Sequence, residues 1–281
     1  MRNIVVLTSD QTGPLGEVGR REIDRLRLAL APAGLALQPH PMAEPLAAGA
    51  EALALLVWGY HLDPPAWFDR LAAWEAAGVR LHNPASALRW NTAKTYLCEL
   101  EQAGAPVIPT LAVGETTADD LAEARRRFAT DTLVVKPQIG ASAHGAEILR
   151  PGEAPALRGP AILQPFYASV QTAGELSLMF FGGRFSHAVR KRPGAGDFRV
   201  QEEHGGSSVA VTPPPEAIRA AEQVLDAAPR GLTYARVDLL PDADGRHRLM
   251  ELELIEPQLF LAHAPDAGAA LGHALAEAMA A

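Results

Sequence analysis

Apolar and polar positions change period several times along the chain, and each change marks an element. "NIVVLTS" (3–9) is a continuous apolar run that breaks into the turn-rich "DQTGPLGEVG", which predicts a short buried strand. Ile23, Leu26 and Leu30 recur at helical spacing and predict a helix over about residues 20–33. "GLALQPH" and "ALALLVWG" (52–59) read as two more strands. "PPAWFDRLAAWEAAG" is amphipathic, opened by proline and closed by Gly78, and predicts a helix. "VRLHNP" predicts a strand running into a turn. Strand, helix, strand, strand, helix, strand makes a small open α/β unit over residues 1–88.

"SALRWNTAKTYLCELEQAG" predicts one helix with a glycine stop, and "APVIPTLAVG" a strand. "TADDLAEARRRFA" predicts a helix with an acidic start. "TLVVKPQIGASAHGAEIL" reads as strand, small-residue loop and strand, and "AILQPF" as a short strand, which together define a second unit over 89–165. In the third unit, 166–281, "GELSLMFFGGRFSHAVRKRP" predicts a hairpin turned by Gly182-Gly183. A Gly-rich loop, a helix from "PPPEAIRAAEQVLDAA", a hairpin turned by "PDADG" and a last helix follow. No linker is long enough to separate the three units, so they are expected to pack as one body.

Composition narrows the classes. The 281 residues are 48% apolar and 21% charged, the balance of a folded globular chain. A net charge of −8 argues against a nucleic-acid partner. One cysteine, Cys98, excludes an internal disulfide framework and is compatible with the cytoplasm, the expected location. The opening "MRNIVVLTSD" has too short an apolar run for a secretory signal, and no stretch approaches 18 uninterrupted apolar residues, so no membrane partner is expected.

The candidate chemistry starts in "RVDLLPDADGRHRLMELELIEP" (236–257). Glu251 and Glu253 share one face of a strand, and like charges so placed repel. If the turn pairs 236 with 251 and 238 with 249, Asp238 joins that face. Three converging carboxylates are costly to desolvate unless a cation neutralises them. Oxygen ligands suit Mg²⁺ carrying phosphates. A solvated acidic face, or ion pairs with Arg236 and Arg248, would explain the same pattern. In "LVVKPQIGASAHGA", Lys136 ends an apolar strand before a loop whose small residues allow backbone N–H groups to approach an anion, though it is no P-loop. "GASAH" approaches a nucleophile elbow at Ser142, but His144 replaces the final glycine and a strand, not a long helix, follows. "HAVRKRPGAGDFRVQEEHGG" holds Arg190, Lys191, Arg192 and Arg199; alternation puts Lys191 on the opposite face from Arg190 and Arg192.

In order, Lys94 in "WNTAK", Lys136 in "VVKP", "LQPF", "GELSL", Lys191, "GDFR…GG", Asp238 and "ELE" resemble the ATP-grasp superfamily, in its glutathione synthetase and ribosomal-S6 modification branch. The stretch from "VWGYHLDPP" to "AGAPVIPT" looks most like the D-cycloserine ligase group. The resemblance implies an α/β (α+β) ATP-grasp fold behind an N-terminal Rossmann-like pre-ATP-grasp domain, with 89–165 as the lid and 166–281 carrying the metal site. It implies that Lys94 and Lys136 grip ATP phosphates and that Gln164, Pro165, Phe166 and Tyr167 form the hinge at adenine. Ser142 lies in the lid loop and Glu175 in a ribose or lysine contact. Lys191 and Arg199 would act catalytically on the phosphoryl group. Asp238, Glu251 and Glu253 would hold two Mg²⁺, for which Mn²⁺ could substitute. This sequence departs from the family at Glu253, commonly Asn, at Lys191, often Arg, and in a lid poorer in glycine. Glu256, where relatives often carry a small or polar residue, is a candidate contact for a substrate amine.

The function so implied is an ATP-dependent carboxylate–amine ligase acting on small amino-acid-like substrates through an acyl-phosphate, with ring closure as a one-substrate variant. A catalytically silent ATP-binding or regulatory protein of the same fold is the alternative, and a serine hydrolase at Ser142 a third reading. Relatives by resemblance are often dimers or tetramers, and nothing in the chain fixes a homo-oligomer. His144, His204, Ser9, Asp10, Tyr60 and His61 are further candidates for substrate contact. Trp58, Trp67, Trp74 and Trp90 are expected in cores or unit contacts.

Overall fold

A computed structural model describes residues 1–9, 13–194, 199–200, 205–264 and 266–280. The first sheet is parallel, in the order β2-β1-β3-β4, from β1 (Arg2–Thr8), β2 (Leu35–Pro41), β3 (Glu51–Leu56) and β4 (Arg80–His82). Helix α1 (Gly13–Leu30) connects β1 to β2, and α2 (Pro64–Ala76) connects β3 to β4. A parallel strand is covered on both faces, which is why β3 reads as an unbroken apolar run; Ala52 to Leu56 are all buried. Asp63 caps α2 by accepting from the Ala66 N–H at 3.1 Å. Helix α1 starts well before residue 20. The glycines of "GPLGEVG" suggest a turn, yet Pro14 falls in the first turn of the helix, where no N–H is needed.

The single helix expected over 86–104 is two, α3 (Ala85–Thr92) and α4 (Tyr96–Gln102). Ala93 between them is extended (φ −102°, ψ 126°). The break occurs because Lys94 leaves the helical ladder, its N–H donating to the Gln138 carbonyl at 2.7 Å. Then follow β5 (Leu111–Val113), α5 (Ala118–Phe128), β6 (Leu133–Pro137), β7 (Glu147–Leu149) and β8 (Ala161–Pro165). These strands form an antiparallel sheet, β5-β8-β6-β7, with its own small core against Leu121 and Ala124 of α5. A capping box of Thr117 and Asp120 starts α5.

The third sheet is antiparallel, β11-β10-β9-β12-β13. It contains β9 (Glu175–Phe181), β10 (Arg184–Arg192), β11 (Ser207–Val211), β12 (Tyr234–Pro241) and β13 (His247–Glu253). The short helix α6 (Ser169–Thr172) precedes β9, α7 (Pro215–Ala227) lies between β11 and β12, and α8 (Ala267–Ala280) ends the chain. The exposed edge strand β11 has no sequence counterpart in the expectations above, because "SSVAV" lacks a bulky apolar face; its burial is slight throughout.

The first and third sheets share one core. Ile4, Leu30 and Leu53 pack in the same cluster as Phe181, Tyr234, Leu271 and Leu275. Helix α4 packs instead on the opposite side of the third sheet, with Tyr96 and Leu100 against Leu178 and Val237. Trp67 and Trp74 are buried in a further cluster with Tyr60 and Leu71.

Helix α8 approaches α1 closely at Gly268, and the turn after α1 at Gly272. A Cβ on Gly272 would lie 2.6 Å from the Ala33 Cβ, and one on Gly268 2.7 Å from the Ala29 Cβ. Gly272→Ala should therefore lower stability by about 1–3 kcal/mol despite the better helix propensity of alanine. Urea unfolding of the variant against the native protein measures this, and an unchanged midpoint would contradict the tight packing.

Candidate active site

The acidic hairpin is positioned by its turn. Asp242 accepts from the Asp244 and Arg246 N–H groups at 3.0 and 2.9 Å, which opens the loop beyond a tight turn. A bulge follows between Leu239 and Asp238, opposite Met250. The register is consequently Asp238 opposite Glu251 and Arg236 opposite Glu253, two residues from the expected pairing of 238 with 249 and 236 with 251. A shift of two preserves the face, so Asp238, Glu251 and Glu253 still share it.

The outer edge of β13 is paired by side chains. Tyr96 Oη donates to the Leu252 carbonyl and accepts from the Leu252 N–H, both at 3.0 Å. Asn91 Nδ2 donates to the Leu252 carbonyl at 2.8 Å, and its Oδ1 accepts from the Leu254 N–H at 3.0 Å. Asn83 Nδ2 donates to the Leu254 carbonyl at 2.8 Å and to the Tyr234 carbonyl at 2.9 Å. The edge is closed where another strand would otherwise lie. None of these three was expected as a site residue. The available signal was an asparagine on the buried side of an amphipathic helix.

Each acid on the shared face meets a base. Lys94 Nζ donates to Glu251 Oε1 at 2.7 Å and to the Gly140 carbonyl at 2.8 Å. Arg236 bonds both oxygens of Asp238, at 2.9 to 3.2 Å, and pairs with Glu253. Lys191 lies 3.1 Å from Asp238 Oδ2 and also pairs with Glu175, while Ser177 donates to Asp238 at 2.6 Å. Burial alone would raise the Asp238 pKa, but Arg236 and Lys191 hold it well below the usual carboxylate range. Burial and Arg236 depress Lys191, yet Asp238 and Glu175 outweigh them and raise it. Burial pushes Glu175 and Glu253 up to about 7, and Glu256 up to about 8. Burial lowers Lys136, whose ammonium has the Met250 thioether at 3.2 Å and forms no salt bridge among the described residues.

These groups wall a cavity of about 820 Å³ between the three sheets, within the size of small-molecule sites. Lys94, Lys136, Ser142, Gln164, Pro165, Phe166, Tyr167, Glu175, Lys191, Arg199, Glu251 and Glu253 all line it. Asp238 lies behind the wall, 1% exposed, with both oxygens engaged. Among the described residues no three Asp, Glu, His or Cys side chains converge as a metal cluster. The acids are drawn to bases instead. The donor set nevertheless fits a hard cation, since Glu251 and Glu253 offer carboxylate oxygens on the cavity wall.

The loop between β6 and β7 places Ser142 and Ala143 at positive φ (51° and 52°), a conformation strained for residues other than glycine. Strand β7 follows Ser142, so the strand-to-helix setting of a nucleophile elbow is missing. Gln164 donates from Nε2 to Thr110 Oγ1 at 3.0 Å, so its side chain braces β8. Tyr60, His61 and His144 line the cavity. Ser9 closes β1 through its N–H to the Leu56 carbonyl and is not on the wall. Asp10 and His204 fall outside the described residues. Arg236 is the cation that sequence reasoning assigned only to a competing explanation; it stands directly opposite Glu253.

A parallel α/β unit, a lysine-bearing antiparallel sheet and a carboxylate hairpin surround one cavity, the architecture of an ATP-grasp fold. No protein-family model matches the chain. It is 34% identical over 229 residues to the cycloserine biosynthesis protein DcsG of Streptomyces lavendulae, covering 71% of this chain and 73% of DcsG. The crystal structure of D-cycloserine synthetase DcsG superposes with a TM-score of 0.81 at 25% identity, over 98% of this chain and 99% of that one. D-alanine–D-alanine ligase from Bacillus anthracis (TM-score 0.70, 15% identity, 100% of this chain and 97% of that one) and ATP-grasp ligase PsnB (0.65, 18%, 99% and 98%) share the fold. This chain belongs to the ATP-grasp ligases, in the family of DcsG. It is an ATP-dependent carboxylate–amine ligase that forms amides from amino-acid-like substrates. No helix is long and apolar enough to cross a membrane among the described residues.

Tyr96→Phe deletes one oxygen and leaves the Leu252 N–H without that partner. It should cost about 1–3 kcal/mol in urea unfolding. A variant as stable as the native protein would mean that the side-chain edge of β13 contributes nothing.

Proposed function

We propose that the chain activates a small amino acid's carboxylate as an acyl-phosphate and closes an amide with an amine, releasing ADP and phosphate. The observation that carries this reading is Lys136, a half-buried ammonium that forms no salt bridge among the described residues and lines the same cavity as Glu251 and Glu253. An unpaired cation there suits an anionic ligand such as a triphosphate.

Lys94 and Lys136 would bind the phosphates, and the Gln164–Tyr167 hinge would receive adenine. Lys191 and Arg199 would neutralise the transferring phosphoryl group, Glu175 holding Lys191 in place. Glu251 and Glu253, with Asp238 behind them, would hold two Mg²⁺, or Mn²⁺ in their stead; bound metal supplies charge neutralisation on the phosphates. The substrate carboxylate attacks the γ-phosphorus and ADP leaves. The amine then attacks the acyl carbon, loses a proton, and phosphate departs. The chain's own residues orient and neutralise, and the "GASAHG" lid excludes water from the acyl-phosphate. No protein nucleophile is required. A silent binder would not need this set of bases and acids. The name of the 34% identical relative, a cycloserine biosynthesis protein, favours ring closure within one substrate as a second reading.

ADP release with Mg²⁺-ATP, measured against D- and L-amino acids singly and in pairs and against O-ureidoserine, tests the reading. Turnover with a pair identifies two-substrate ligation; turnover with one compound, and a product lighter by one water, identifies ring closure. Glu251→Gln should abolish ADP release with the melting temperature retained, and full activity would remove the metal assignment.

Burial, Asp238 and Glu251 push Glu253 up to about 7 against the pull of Arg236, so near neutrality it is partly protonated. A cation needs it ionised. Binding of Mg²⁺ with ADP should release protons at pH 7 and weaken as pH falls below that value. Calorimetry in two buffers of different ionisation enthalpy reads the proton count, and zero release would contradict ligation by Glu253.

A further inference from the structure

Glu256 stands on the cavity wall three residues beyond Glu253. Its Oε2 is buried and has no hydrogen-bond partner among the described residues. Among the described residues, every other carboxylate lining the cavity is paired: Glu22 with Arg25, Glu175 with Lys191, Glu251 with Lys94 and Glu253 with Arg236. Glu256 forms no salt bridge among the described residues. The bases that could have served it are committed, Lys94 to Glu251 and the Gly140 carbonyl, and Arg236 to Asp238 and Glu253. Tyr60 shares its surroundings: Glu256 is the leading charge acting on the Tyr60 phenol. The apolar side chains of Trp58, Leu259 and Leu261 also line the cavity.

A carboxyl enclosed among apolar groups without a donor is costly, and a ligand that brings a donor and a positive charge relieves that cost. We infer that Glu256 is the receptor for the spectator ammonium of the amino-acid substrate, holding the α-nitrogen in a charge-assisted hydrogen bond beside Tyr60. This assignment rests on the ligase reading above and names its substrate class: a zwitterionic amino acid with a free amine, not an N-acylated acid or a plain carboxylic acid. Three residues of chain span at most roughly 10 Å, so an ammonium at Glu256 leaves the same molecule's carboxylate near the phosphate side of the cavity, where Glu253 lies. The group in this role anchors the substrate and takes no proton from the attacking amine. Its loss is therefore read in substrate affinity.

Calorimetry on the full chain with Mg²⁺ and a non-hydrolysable ATP analogue would use D-alanine, D-serine, their L-enantiomers and the N-acetyl derivative of each. At least one free amino acid should bind at least about tenfold more tightly than its N-acetyl derivative. Glu256→Gln should erase that preference, and Glu256→Asp, which keeps the charge, should retain part of it. Glutamine keeps the size of the side chain and adds no buried charge, so the melting temperature of this variant should stay close to the native value and show that the protein remains folded. Equal binding of the acetylated compounds, a preference that survives in Glu256→Gln, or no binding by any free amino acid would each overturn the assignment. ADP release by the native enzyme is followed in parallel. An amine preference without ADP release defeats the ligase reading and leaves the Glu256 site standing. ADP release with acetylated and free amino acids at equal kcat/KM does the reverse.

Discussion

The structure depends on how the outer edge of β13 is satisfied. The strand must carry Glu251 and Glu253 into a cavity, so its face cannot be covered by another layer there. Its edge has no neighbouring strand along Leu252 and Leu254. Unpaired backbone groups beside buried carboxylates would be costly. Tyr96, Asn91 and Asn83 supply the missing pairs from α3, α4 and the turn before them. The same contacts tie the first unit to the third, since Asn83 also accepts from the Thr233 N–H at 2.8 Å. The rigidity of the acidic strand and the docking of the units thus have one cause.

Charge on the cavity wall is arranged as exchangeable pairs. Lys94, Lys191 and Arg236 each hold carboxylates that the proposed chemistry needs for another purpose. An anionic ligand competes for the bases and a cation competes for the acids, so the two replace one another's partners together. Lys136 and Glu256 are the exceptions, one cation without an acid and one acid without a base. Among the described residues, they are the points on the wall where a ligand meets no internal ion-pair competitor.

The break between α3 and α4 shows how local structure serves this arrangement. A continuous helix through Lys94 would keep its N–H in the helical ladder. The extended Ala93 frees it to bond Gln138, and the side chain then reaches both the loop at Gly140 and the strand at Glu251. One residue links three segments that come from different parts of the chain.

Hydrophobic periodicity in the sequence determined most elements, because a buried parallel strand such as β3 and an amphipathic helix such as α2 need no partner to be recognised. The order of Lys94, Lys136, Lys191, Asp238 and "ELE" also carried the family and the candidate residues, which now line or back one cavity. The face of the acidic hairpin was legible as well, since alternation survives a two-residue error in register. Only the tertiary structure decided which acid faces the cavity and which lies behind it, that Arg236 stands among the acids, and that α3 and α4 separate at Ala93. It alone showed Glu256 unpartnered and the edge of β13 closed by side chains. These depend on contacts between residues that are not neighbours in the sequence, such as Lys94 with Gln138 and Tyr96 with Leu252, or on a turn whose loop length is set by the Asp242 side chain. Periodicity along the chain contains no record of such contacts.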